Sequence, residues 1–192
     1  MNGEPAIKST IGPIDLSRAG TGGFDPGRSK WFIGIWILFE FLFVTNPLQL
    51  SSALRAAVLR LFGARIGSGV IMRPRLRVKF PWRLEIGDRS WIGESVWLHN
   101  QGQMSIGSDC VISQDSFLTT GSHDWQHTMD LLVKPVKIGS GVWITSRCMV
   151  LQGVEIGDNA LVLPGSVVNR SLEAQSICGG VPARFLRRRE PP

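Results

Sequence analysis

From Ile138 to Val168 a branched aliphatic residue returns at every sixth position: Ile138, Ile144, Val150, Ile156, Val162 and Val168. Four places after each of the first five stands a small or compact residue, Val142, Cys148, Val154, Ala160 and Ser166. Glycine follows the aliphatic at Gly139 and Gly157. A strand alternates with period two and a helix repeats about every 3.6 residues, so a period of six suits neither element alone. It suits a coil of three short strands per turn, with the aliphatic side chains stacked in a narrow triangular interior. The pattern predicts a β fold, a parallel β-helix of hexapeptide repeats.

The same rhythm runs upstream. It starts at Ile66-Gly67, continues less regularly through Met72 and Val78, and is clean at Ile86-Gly87, Ile92-Gly93 and Leu98. Ile106-Gly107, Ile112 and Leu118 make the next turn, with Cys110 and Ser116 in its small slots and a two-residue bulge near Gln103. After Leu118 the rhythm stops until Ile138. The polar and bulky residues between them would be rejected by a coil interior, so 119–137 is predicted to loop out. The β-helix is thus placed at 64–178, with a short C-terminal tail at 179–192. The basic residues Arg73, Arg75, Arg77 and Lys79 alternate along the first turn and read as an outward, solvated strand face.

Before the coil, Trp31 to Val44 is almost wholly apolar, yet shorter than the roughly 20 residues of a membrane span and interrupted by Glu40. A helix lying on the β-helix or on a membrane face is expected; packing on the coil is the main expectation and membrane contact an addition. Asn46 and Pro47 read as an N-cap and first helical position. Leu50, Leu54, Ala57, Val58, Leu61 and Phe62 then recur at helical spacing, and Gly63 ends the run. Residues 31–63 are therefore a helical lead-in. Residues 1–30, rich in Gly, Ser, Thr and Pro, read as a flexible or extended arm.

Composition changes this picture little. A chain of 192 residues is one domain with an added segment. The formal net charge is +6, but only 19% of residues are charged and no nucleic-acid-reading motif is present, so nucleic acid is not an expected partner. The three cysteines Cys110, Cys148 and Cys178 are odd in number, and the first two fill small inward slots. They read as buried thiols of a reducing cytoplasm, not as disulfides or metal ligands. Met1 to Ser29 is polar and glycine-rich and does not resemble a signal peptide.

Chemistry is expected in the interruption, because a regular solenoid has flat sides and places its binding groups on loops. The loop holds His123 and His127 beside Asp124 and Trp125. G-S-H-D follows a finished coil directly, so His123 is held near the rigid wall, where Asp124 or another carboxylate can fix its tautomer. His127 and His99 read as structural. The repeats, the G-S-H-D-W loop, the V-W-I after it and the G-G-V-P-A-R near the end resemble the hexapeptide-repeat acyltransferases, especially the colanic acid biosynthesis sugar O-acetyltransferases. The likeness spans roughly Trp31 to Arg187.

That resemblance implies a left-handed coil, a homotrimer with the cofactor groove between subunits, and acetyl-CoA-dependent acetylation of a sugar hydroxyl in exopolysaccharide biosynthesis. It implies that His123 is the general base and that the backbone N–H around Ser146 contacts the thioester oxygen. Pro164 stands where the family has a small residue lining the pantetheine groove. Asn169 and Arg170 match the turn beside the cofactor, and Arg184 and Arg187 match basic positions facing the coenzyme phosphates. Trp143 packs in the core or trimer contact, or touches cofactor. Asn100 matches the acceptor side loosely, as do Asp124 and Trp125. The protein is expected in the cytoplasm, at most peripheral to the inner face of the membrane. Two rival readings stay open. One is a zinc hydratase of the gamma carbonic anhydrase type using His99, His123 and His127; the other is a scaffold without catalysis.

Overall fold

The structure is a computed structural model and describes residues 15–190. It is a parallel β-solenoid whose three sides are ladders of short strands. The first side stacks Arg65–Ile66, Leu84–Ile86, Met104–Ile106, Val136–Ile138 and Glu155–Ile156. The second stacks Ile71–Met72, Trp91–Ile92, Val111–Ile112, Trp143–Ile144, Leu161–Val162 and Ser176–Gly179. The third stacks Arg77–Val78, Trp97–His99, Phe117–Thr119, Met149–Val150 and Val167–Val168. Registers join like to like: Ile86 to Ile106, Ile92 to Ile112, and Leu98 to Leu118.

The period of six is thus one side of a triangle, and the aliphatics meet inside it, as the sequence predicts. Ile92, Leu98, Ile112, Leu118, Ile144 and Val150 are at most 1% exposed. Small residues fill the corners because little room is left there, and Cys110, Ser116, Cys148, Ala160 and Ser166 are all buried. All three cysteines are free and buried. In the first two turns the corner between the third and first sides is longer than the others, a step of eight from Val78 to Ile86 and again from Leu98 to Ile106. The two extra residues near Gln103 thus repeat an insertion one turn earlier, whereas the same corner from Val150 to Ile156 takes a plain step of six. Between them, from Leu118 to Ile138, the corner grows into the hairpin Gly121–His123/Leu131–Val133.

The outward rows differ from side to side. The first side shows Arg65, Glu85, Ser105, Lys137 and Glu155, with ion pairs Arg65–Glu85 and Lys137–Glu155. The second shows Ile71, Trp91, Val111, Trp143 and Leu161. The third shows Arg77, Trp97, Phe117, Met149 and Val167. One side is made for water and two are largely apolar.

A stack of parallel strands ends in unpaired backbone groups. Here helix α1 (Lys30–Phe39), the π-helical turns Glu40–Thr45 and helix α2 (Ser52–Leu61) close that end with side chains. Glu40 Oε1 accepts from the Val78 N–H at 2.7 Å, and Ser52 Oγ accepts from the Met72 N–H at 2.8 Å. Trp36 Nε1 donates to the Val78 and Lys79 carbonyls, Thr45 to that of Leu76, and Arg60 to that of Ile66. Glu40 therefore does not break an apolar segment; it stands in for a missing coil turn. α1 turns Trp36 inward against Phe62, and Phe32 and Phe39 pack on the same ring.

Three expectations need correction. The second helix begins at Ser52 with Ser51 as its N-cap, accepting from the Leu54 N–H. Asn46 instead closes the turns before it, its amide donating to the Leu42 carbonyl. The buried face of α2 is Arg55, Ala56, Val58 and Leu59, while Leu50, Leu54 and Leu61 are exposed. Nor is the C-terminal segment only a tail: Arg184–Arg188 is a strand antiparallel to Ser176–Gly179. Of the arm, residues 1–14 lie outside the described residues. From residue 15 onward it lies along the coil: Phe24 stacks on Phe80, and the Pro26 carbonyl accepts from Trp82 Nε1.

Candidate active site

His123 ends the first strand of the hairpin, at the third–first corner, with its ring exposed. Its Nδ1 lies 2.9 Å from the Met129 carbonyl oxygen. A carbonyl only accepts, so Nδ1 carries the proton and Nε2 keeps its lone pair facing outward. The residue that sets this tautomer is thus a backbone carbonyl of the hairpin tip. Asp124, expected to do it, is turned to His127 Nδ1 at 3.0 and 3.2 Å. The His127 bond is the main reason that the Asp124 carboxyl is held below its ordinary value. Asp124 instead shapes the tip, its N–H donating to the Asp130 carbonyl and its own carbonyl accepting from the Met129 N–H. Trp125 stands out at the tip, 63% exposed.

The hairpin is tied down from the other side by the arm. The Gly20 N–H donates to Asp130 Oδ1 at 2.7 Å. Gly22, at φ 57°, passes so close that a Cβ there would lie 2.5 Å from the Leu131 carbonyl oxygen. Only glycine allows both that backbone and that approach. The glycine-rich composition that suggested a loose arm is what lets it lie against the hairpin.

Directly below the hairpin, the third side carries a wall of rings. Trp97 packs against His99 and Phe117 at 5.2 and 5.0 Å, and the Arg77 guanidinium lies 3.9 Å over Trp97. His99 Nδ1 lies 3.2 Å from Thr119 Oγ1. Burial, with help from Lys79 and Arg77, holds the His99 ring below its ordinary value, so it is neutral at pH 7. This wall was missed in the sequence, although Trp97-Leu98-His99 and Phe117-Leu118-Thr119 stand one coil turn apart. Asn100, expected on the acceptor side, is fully buried, and both ends of its amide bond the backbone of Phe80. It builds the corner and does not face a ligand.

The residues expected at the cofactor lie elsewhere on the coil. Trp143 sits on the second side, its Nε1 donating to Ser113 Oγ at 3.0 Å. Ser146 and Pro164 stack at the second–third corner, where the Gly165 N–H donates to the Ser146 carbonyl. Asn169 and Arg170 are exposed at the third–first corner, two turns beyond the hairpin. Arg170 and Arg184 line one depression with Leu172, Glu173 and Arg188. Arg184 and Arg187 have no carboxylate partner among the described residues, whereas Arg188 pairs with Glu173. Within one chain, then, His123 and the Ser146–Pro164 stack belong to different corners. Each histidine has a separate partner, and among the described residues no group of three or more His, Cys, Asp or Glu side chains is placed to hold a metal.

A solenoid of this period, with a histidine-bearing hairpin thrown from one corner, is the architecture of the hexapeptide-repeat acetyltransferases, and the chain belongs to that family. Residues 135–170 match the bacterial transferase hexapeptide family of six repeats. The chain is 41% identical over 156 residues to the Escherichia coli K12 protein assigned to colanic acid biosynthesis as the acetyltransferase WcaF, covering 80% of this chain and 85% of that one. It is 24% identical over 158 residues to the galactoside O-acetyltransferase of the same organism, covering 80% and 76% of the two chains. A Vibrio cholerae hexapeptide-repeat acetyltransferase, solved with acetyl coenzyme A, superimposes with a TM-score of 0.77 at 26% identity, covering 92% and 98% of the two chains.

Proposed function

We propose that the protein transfers an acetyl group from acetyl-CoA to a hydroxyl of a sugar, in the cytoplasmic assembly of an exopolysaccharide or related glycan. The observation that carries this reading is the bond between His123 Nδ1 and the Met129 carbonyl, which leaves Nε2 as an aimed base. A hydroxyl is a weak nucleophile until its proton is removed, and an imidazole suits that task near pH 7. His123 Nε2 takes the acceptor proton while the acceptor oxygen attacks the thioester carbonyl. The oxyanion that forms needs a donor, and the Ser146 N–H, which has no acceptor among the described residues, is the group assigned to it. The intermediate collapses, the C–S bond breaks, and the sulfur leaves with the proton returned from His123. An acetyl ester and free coenzyme A result. The wall of Trp97, Phe117 and His99 offers the apolar face of a sugar ring a surface to stack on. Arg184 and Arg187, with Arg170, offer unpaired guanidinium groups to the coenzyme phosphates.

The base and the oxyanion donor sit on different corners of one coil, so the reading requires a second copy to complete the site. Two apolar outer sides per chain support it, since a closed ring of three uses two different patches on each copy. Light scattering is expected to give a mass near three times the 21.1 kDa chain. A monomer that still turns over would overturn the shared site. His123→Ala is expected to lower turnover by roughly 10²-fold or more with acetyl-CoA affinity unchanged. Turnover within about threefold of wild type would remove His123 from the role.

A further inference from the structure

We propose that the outer face of α1 and the π turns after it is a docking surface for an anionic lipid bilayer. The inner face of this segment is accounted for by Trp36, Val44 and the coil end. The outer face is Trp31, Ile35, Ile37, Leu38, Phe41 and Leu42, each between 41% and 86% exposed. Gly34 lies exposed among them, and no charged side chain interrupts the row, since Glu40 is turned in to Val78. An uncharged apolar patch of this kind is rarely left to water and marks a contact surface. The 16 residues from Lys30 to Thr45 reach about 24 Å as helix, less than the roughly 30 Å of a bilayer core. Among the described residues no helix is long and apolar enough to cross a membrane. A segment fixed by its inner face to a rigid coil can lie in a bilayer surface but cannot insert across it.

Charge chooses the occupant. Residues 28–79, which form the lead-in and the first coil turn, carry nine Lys or Arg and one acidic residue, the inward Glu40. The rest of the chain carries twelve basic and fourteen acidic residues, so all of the net positive charge of +6 resides at this end. Arg28, Lys30, Arg73, Arg77 and Lys79 are exposed there and have no carboxylate partner among the described residues. An apolar face beside unpaired basic side chains matches the acyl boundary and headgroups of an anionic leaflet. A second copy meeting this end face to face would set like charge against like. Binding at this face does not require acetyl transfer.

The experiment is sedimentation of the full chain with vesicles of phosphatidylcholine alone or with one third phosphatidylglycerol, at low and high salt. The wild type is expected to pellet with the anionic vesicles, weakly with the neutral ones, and less as salt rises. Ile37→Asp with Phe41→Asp, both at exposed positions, is expected to lower the bound fraction about tenfold or more, with the melting curve and the mass in solution unchanged. Arg28→Gln with Lys30→Gln leaves the apolar face whole and is expected to lower binding to the anionic vesicles only; it decides the matter if the aspartate variant does not fold. Equal pelleting of wild type and both variants would overturn the proposal. So would a fall in the mass of the aspartate variant, which would show that a second copy covers the face.

Discussion

Arg55 offers the sharpest test of how the lead-in is held. It is fully buried in α2 and has no carboxylate partner among the described residues; instead it reaches three backbone carbonyls. Nε donates to the Val44 carbonyl at 3.1 Å, at the end of the π turns, and Nη1 to that of Met72 at 3.0 Å, in the first coil turn. Nη2 donates to the carbonyl of Gln49 in the linker. One guanidinium therefore closes the end of the first helix, the connection and the coil edge together. Arg55→Met keeps much of the stem volume and removes all three donors. Each bond to a charged donor contributes about 1.5–3 kcal/mol, and each stranded carbonyl costs about 1–3 kcal/mol. Relief from burying the charge, which already pulls the guanidinium below its ordinary value, opposes this.

The net expectation is a loss of about 3–5 kcal/mol: three stranded carbonyls at about 1–3 kcal/mol each, less the relief of removing a buried charge. Urea unfolding followed by tryptophan fluorescence measures it as a lower midpoint at constant slope. Arg55→Lys is expected to fall between, because a single ammonium cannot span three carbonyls set around a fork. An unfolding free energy for Arg55→Met within about 1 kcal/mol of wild type, or a Lys variant no better than the Met variant, would refute the reasoning.

Two further outcomes follow from single side chains. Burial holds the Glu40 carboxyl above its ordinary value of 4.5, against the Val78 N–H bond and the nearby Arg77 and Lys79. The folded chain keeps a proton that the unfolded chain releases, so stability falls as pH rises from about 4.5 through the raised value. Glu40→Gln retains an acceptor for Val78 and should flatten that slope in urea melts taken across pH; an unchanged slope would exclude Glu40 as its source. Asp130→Ala removes the acceptor for Gly20 and should free the arm from the hairpin. Turnover is then expected to fall several-fold, while stability moves by about 1 kcal/mol; unchanged turnover would show that the arm does not position His123.

The coil was legible because its interior imposes one rule on every turn. Ile, Val and Leu at the sixth positions have nowhere else to go, and small residues are all that the corners admit. The lead-in was legible as helix but not in its facing. Leu50, Leu54 and Leu61 recur at helical spacing and are exposed, while Arg55, a charged residue between them, is fully buried. Hydrophobic period reports which residues avoid water, not which neighbour covers them. Arg55 was illegible because its partners are carbonyls of residues 6, 11 and 17 positions away, a relation that exists only after folding. The motif pointed to the hairpin's histidine but not to the group that holds its ring. Asp124 is adjacent in sequence, whereas the hairpin turn brings the Met129 carbonyl to Nδ1.

The same logic explains why the candidate site is dispersed over one chain. A triangular coil fixes each repeated position to one side or corner for its whole length, so residues on different corners cannot converge by a local bend. The hairpin can reach outward only from the corner that produces it. The Ser146–Pro164 stack stays on another corner through successive turns. Under the proposed function, bringing His123 to a thioester at that stack is a matter of placing rigid coils side by side, not of closing a lid. The chain divides its surface accordingly, with one ion-paired side, two apolar sides and a basic, apolar end. Under the proposed function, substitutions on the apolar sides should affect turnover through assembly, and those on the exposed apolar face of α1 should affect where the assembled protein sits.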